Sequence, residues 1–166
     1  VAKESRSTRD QVLDPRTMKV VFKWISIGHL EGLDGVIRTG KEANVYLARG
    51  GQGATDDVVK PPEDVAVKIF KTTMAEFTNR SDYVEGDFRF RRAHFGACKN
   101  RGKLCAMWAE KEFANLKRIH GAGIPSPRPM KVLQHLLTMD FVGKRGVPAP
   151  QLREAVGSLS NRRRVD

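Results

Sequence analysis

A six-residue run, Val65-Ala66-Val67-Lys68-Ile69-Phe70, limits the fold of this chain more than any other stretch. Successive side chains of a β-strand point to opposite faces. Here both faces are apolar, with one lysine among them. A lysine flanked in this way is poorly solvated unless an anion meets it. The alternative is an edge-strand lysine whose long stem lets its head reach water.

The rest of the chain organises itself around that strand. Residues 1–11 are polar and charged. Asp14-Pro15 then gives a helix start, because Asp can cap free N–H groups and Pro fits the first turn. Val20, Val21, Trp24 and Ile25 recur at helical spacing and predict an amphipathic helix to about Ile27, closed by Gly28. Leu30–Arg38 and Asn44–Arg49 read as strands joined by the polar turn Thr39-Gly40-Lys41-Glu42, and residues 50–63 read as a loop. The stretch 79–103 is rich in Arg, Lys and aromatic residues without regular period and is expected to be only partly ordered. Met107, Trp108, Lys111, Glu112, Leu116 and Ile119 predict a helix ended by Gly121 and Gly123. Pro125, Pro127 and Pro129 predict an extended connector. Val132–Leu133 and Leu136–Val142 predict two more strands, and Pro148-Ala149-Pro150 leads into a short final helix. Strands, one long helix, then strands is an α+β order.

Composition bounds the function classes. The 166 residues carry 30 Lys and Arg against 19 Asp and Glu, a formal charge of +11. Such an excess draws polyanions, RNA being the commonest; cations that merely solvate the surface are the alternative. Cys98 and Cys105 stand seven positions apart and match neither a zinc pattern nor a redox pair, which suggests reduced thiols in an intracellular protein. His29, His94, His120 and His135 are scattered, and no metal site is expected among them. No apolar run reaches membrane-spanning length and no secretory signal opens the chain, so a soluble protein is expected.

Four segments could carry chemistry. Thr39, Gly40 and Ala43 make a small-residue turn between two strands, which can cover nucleotide phosphates with backbone N–H groups or be an ordinary hairpin turn. Lys68 is the second. The third is the helix around Glu110 and Glu112, which lie about 200° apart, so only one can face Lys68. Glu112 is the better choice because Leu116 shares its side; a surface carboxylate pairing with Lys111 or Arg118 is the alternative. The fourth is Leu136 to Gly143, an apolar strand running into a glycine, which could offer backbone groups to an adenine edge or be a plain edge strand.

Together and in this order, these segments resemble the RIO family of atypical serine/threonine protein kinases across nearly the whole chain. Thr39-Gly40-Lys41-Glu42-Ala43-Asn44-Val45-Tyr46 resembles the family's phosphate loop almost letter for letter. Asp14-Pro15-Arg16-Thr17 resembles its N-terminal extension, Tyr83 through Arg91 its flexible loop, and Trp108 to Glu112 and Val147 to Pro150 further signatures. The Gly50-Gly51 insertion and Phe70 to Thr73 look more like the third subfamily, whereas Asp14 to Thr17 leans toward the first.

The resemblance implies a protein-kinase-like small lobe: a five-stranded antiparallel sheet, one long helix and an N-terminal helical extension. Its units would be the extension at 1–28, the lobe at 29–143 with a basic loop at about 79–103, and the hinge with the start of a large lobe at 144–166. Thr39, Gly40, Lys41, Glu42, Ala43, Asn44 and Val45 would cover the phosphates of ATP, and Lys68 would bind the α/β-phosphate pair, held by Glu112. Met139 would back the adenine pocket, with backbone groups of Asp140 and Val142 bonding adenine. Mg²⁺ would be held by a large lobe. The pre-ribosomal small subunit and its rRNA are the implied partners, in a cytoplasmic protein that shuttles through the nucleus. A lobe alone would expose its cleft side near Val45, Ala66 and Met139 and would self-associate there. The family's His-x-Asp-Leu-Ser-x-x-Asn loop and metal-binding Asp have no counterpart here. That leaves a piece of a longer kinase and a truncated product as alternatives, with a pseudokinase or a non-catalytic RNA-binding module as the rival functions.

Overall fold

The computed structural model describes residues 13–52, 64–72 and 101–155. Helix α1 (Pro15–Ser26) begins at Asp14, whose carboxylate accepts the Thr17 N–H at 2.7 Å. It ends before Gly28, which takes φ 71°, a conformation that only glycine adopts without strain. Strand β1 (Leu30–Thr39) follows and pairs antiparallel with β2 (Ala43–Gly50), which pairs with β3 (Asp64–Phe70). After the undescribed stretch, helix α2 (Arg101–Gly121) leads to β4 (Pro129–Leu133) and β5 (Leu136–Asp140). A two-residue-per-strand hairpin, β6 (Gly143–Lys144) and β7 (Val147–Pro148), closes the strand content. The main sheet has five strands in the order β1-β2-β3-β5-β4, all neighbours antiparallel.

The middle position of β3 explains its composition. Val65, Val67 and Ile69 point to one face and pack under α1 with Val20, Val21, Trp24, Tyr46 and Leu136. Phe70 belongs to the other face, where it packs with Ala43 of β2 and with Leu104, Cys105 and Ala109 of α2. The sheet is therefore covered by one helix on each side, and a strand buried on both faces needs apolar side chains on both.

Three differences from the sequence expectations have physical causes. Helix α2 starts at Arg101, six residues before Met107, so residues 101–103 of the expected loop are helical; the remainder of that loop, 79–100, lies outside the described residues. Strand β4 starts at Pro129, a residue expected in the connector. Proline lacks an N–H but is tolerated at the first position of an edge strand, which is where the sheet order puts it. The last long strand stops at Asp140 rather than Val142, and the β6–β7 hairpin follows, turning through Arg145 and Gly146 at positive φ. Among the described residues no helix is long and apolar enough to cross a membrane.

Candidate nucleotide site

The β2–β3–β5 register sets out the site. Val45 lies opposite Lys68, Ala66 opposite Met139, and Lys68 opposite Leu137, all on the face that carries α2. Lys68 extends from that face to α2, where its Nζ donates to both oxygens of Glu112 at 2.8 and 2.6 Å. The two side chains keep 24% and 32% of their surface exposed, so the pair borders water. Phe70, two residues on, sets its ring 4.9 Å from the ammonium. It is Glu112, not Glu110, that meets the lysine, as the opposed directions of the two side chains on the helix require. Cys105 and Ala109, a turn or two earlier on α2, are fully buried and hold that face of the helix to the sheet.

The turn between β1 and β2 stands at the end of the same strands. Thr39, Lys41 and Glu42 are exposed, whereas Ala43 and Asn44 are buried. Gly40 donates its N–H to the Ala43 carbonyl at 2.9 Å, and a side chain at position 40 would press on that carbonyl. The turn is thus tight because residue 40 is glycine, and the Gly40 N–H is committed within it. Glu42 accepts the Lys71 N–H at 2.9 Å, which ties the turn to the end of β3. The Asn44 carboxamide oxygen is buried without a hydrogen-bond partner. The register puts Asn44 opposite Ile69, on the α1 side of the sheet rather than over the cleft.

At the other end, Asp140 donates its N–H to the Arg128 carbonyl at 3.0 Å, and its carboxylate accepts the Arg128 N–H at 3.2 Å and meets the guanidinium at 3.6 Å. Val142 gives its carbonyl to the Ala149 N–H at 2.9 Å, while its side chain is 57% exposed. The Gly146 N–H donates to the Asp64 carboxylate at 3.0 Å, binding the small hairpin to the start of β3. Side chains of Val36, Val142 and Val147 stay exposed. Gly143 admits no side chain, since a Cβ there would strike the Val147 carbonyl and the Phe141 ring.

Sequence reasoning passed over the pairs that hold α1. Thr17 Oγ meets His135 Nε2 at 2.7 Å, and His29 Nε2 meets Thr138 Oγ at 2.8 Å. All four residues are buried. Partners 118 and 109 positions apart leave no local signal.

An ammonium clasped by a helix carboxylate on the middle strand, beside a tight small-residue turn and a glycine-bounded hinge, defines the small lobe of a protein kinase. A family model described as RIO domain matches residues 44–165. Serine/threonine-protein kinase RIO1 of Caenorhabditis elegans is 49% identical over 90% of this chain and 27% of its own length. The RIO1 kinase of Homo sapiens is 43% identical over 98% of this chain and 27% of its own, and the RIO3 kinase of Mus musculus 42% over 99% and 31%. A crystal structure of the Rio2 kinase from Chaetomium thermophilum has a TM-score of 0.49 at 21% identity, covering 74% of this chain and 32% of that one. The chain belongs to the RIO kinase family, and it spans roughly a quarter to a third of the length of these curated relatives.

Proposed function

We propose that this chain supplies the ATP-binding small lobe of a RIO-type serine/threonine kinase or ATPase that acts in maturation of the small ribosomal subunit. The observation that carries the reading is the two-pronged contact between Lys68 and Glu112, half-open to water beside the Thr39–Val45 turn. A carboxylate that fixes the ammonium leaves it pointing along the cleft, where it binds the α/β-phosphates. The turn from Thr39 to Val45 lies over the phosphates with exposed Lys41 as its cation, while Asn44, whose side chain is buried on the α1 side, anchors the turn from behind. Met139 backs the adenine. Since the Asp140 N–H and Val142 carbonyl are already engaged, the adenine contacts assigned here are the Asp140 carbonyl and the Val142 N–H.

ATP brings the transferable phosphoryl group, and this lobe binds and orients it. The described residues contain no cluster of three or more His, Cys, Asp or Glu, so Mg²⁺ ligands are assigned to residues outside them. The proposed partners are pre-ribosomal RNA, which the charge of +11 suits, and a second lobe or copy on the cleft side near Val45 and Met139, which are partly buried; Ala66, expected to be exposed there, is already buried between its neighbours. The proposed place of action is the cytoplasm, with passage through the nucleus.

Calorimetric titration of ATP into the protein carrying this lobe tests the site. Lys68→Ala should abolish measurable binding. Retained tight binding by the variant overturns the assignment, and binding without any turnover in the wild type identifies a pseudokinase.

A further inference from the structure

Helix α1 has a second side that the nucleotide site does not use. Thr17, Val20, Val21 and Trp24 face the sheet, while Arg16, Lys19, Phe22, Lys23, Ser26 and Ile27 face outward. Arg16, Lys19 and Lys23 are spaced i, i+3 and i+7, which lines them along one stripe about 10 Å long. No Asp or Glu occurs between Pro15 and Ser26, and none of the three cations forms an ion pair with a described residue. The Asp14 carboxylate, already capping the helix, feels the Arg16 charge.

The placement works against the helix itself. Cations are favoured near a helix C-terminus and disfavoured in the first turns, and the first turn here has no acid. Lys23 sits well by this rule and Arg16, in the first turn, does not; Lys19 lies beyond the first turn, where the rule is silent. Beside them the Phe22 ring is 60% exposed, which solvation does not reward. A row of cations with a neutral ring flanking it is what an unpaired nucleic-acid strand recognises, through its backbone charge and its base faces. A helix lying in a membrane surface would need its broad apolar face for lipid, and that face of α1 is spent on the sheet.

We propose that the outward face of α1 is a docking surface for single-stranded RNA, with Arg16, Lys19 and Lys23 on phosphates and Phe22 stacked on a base. The choice of polyanion rests on the RNA-docking part of the proposed function; the surface rests on the helix.

The test is fluorescence anisotropy of the 166-residue chain with a labelled polyuridine strand across a series of salt concentrations. Replacing Arg16, Lys19 and Lys23 together by Gln should weaken binding more than tenfold and flatten the slope of log affinity against log salt by about 2. Phe22→Ala should weaken it by about 5- to 100-fold with the slope unchanged, because a ring contributes stacking and no charge. Lys117→Gln with Arg118→Gln, exposed on α2, should change little. If the triple variant keeps the wild-type slope and affinity, the α1 surface is refuted while RNA docking elsewhere survives. If the wild type binds no RNA, both fall, and binding to phosphatidylserine vesicles in its place would mark α1 as a membrane contact.

Discussion

On the α1 side of the sheet, side chains from β2, β3 and β5 are shut away from water, and the polar groups among them include two hydroxyl–imidazole pairs and the Asn44 carboxamide. On the α2 side the same strands present a charged pair that borders water. One alternation of side chains makes both faces. The difference lies in what covers each: α1 packs a Trp24 with no exposed surface into its face, whereas α2 lies over β4, β5 and the Phe70 end of β3 and leaves the Lys68–Glu112 pair bordering water. The larger buried cluster lies on one face and the proposed nucleotide site on the other, so substitutions on the two should separate melting behaviour from nucleotide binding.

The largest expected effect is on the sealed face. Trp24→Ala should cost about 3–5 kcal/mol of stability, read as a fall in the denaturant midpoint. A loss well under 1 kcal/mol would mean that α1 contributes little to holding the lobe. Thr17→Val keeps shape but strips the partner from buried His135, and should cost about 1–3 kcal/mol with ATP affinity unchanged. A matching loss of ATP affinity would break the division between the faces. On the open face, Glu112→Gln should weaken ATP binding about tenfold or more by freeing Lys68, with little movement of Tm, because a partly exposed ion pair contributes little to stability. A large drop in Tm would show that the pair holds α2 in place as well.

The smallest effect is on acid sensitivity. Burial lowers the His135 pKa below its ordinary 6.5, only partly offset by the charge of Asp14. Burial alone would raise the Asp14 pKa, but hydrogen bonds from Thr17 and the charges of His135 and Arg16 outweigh it and bring it below 3.8. Both lowered values have the same sign. The unfolded chain takes up the proton first, so the stability each group contributes is present above its ordinary pKa and is lost as pH falls through it. Denaturant midpoints should therefore decline first below pH 6.5 and again below pH 3.8. His135→Gln should remove the upper step alone; an unaltered upper step would assign it to another group.

Much of this was legible in the residues, and the illegible parts share a cause. Asp14-Pro15 marked a helix start that the cap bond reproduces, and the composition of β3 marked a strand apolar on both faces, although an edge position stayed open until the strand order put it in the middle. The helix period separated Glu112 from Glu110, and Leu116 on the same side chose Glu112. The early start of α2 was missed because residues 101–103 follow a run of mixed basic and aromatic residues, although Asn100 is a residue type suited to a cap. Pro129 read as a connector because its place at a sheet edge depends on strand order, which no local window contains. The Thr17–His135 and His29–Thr138 pairs were hidden for the same reason: each joins residues more than a hundred positions apart.

The bonds from Gly146 to Asp64 and from Ala149 to Val142 have a mechanical consequence. They make the outgoing chain a lever whose fulcrum is welded to the first residue of β3, with Lys68 four positions along the same rod. A twist applied to the residues after Ala149 must either snap those two welds or turn the strand that carries the lysine. Any body hung on that lever would deliver its torque to the strand that carries Lys68 without a messenger in between.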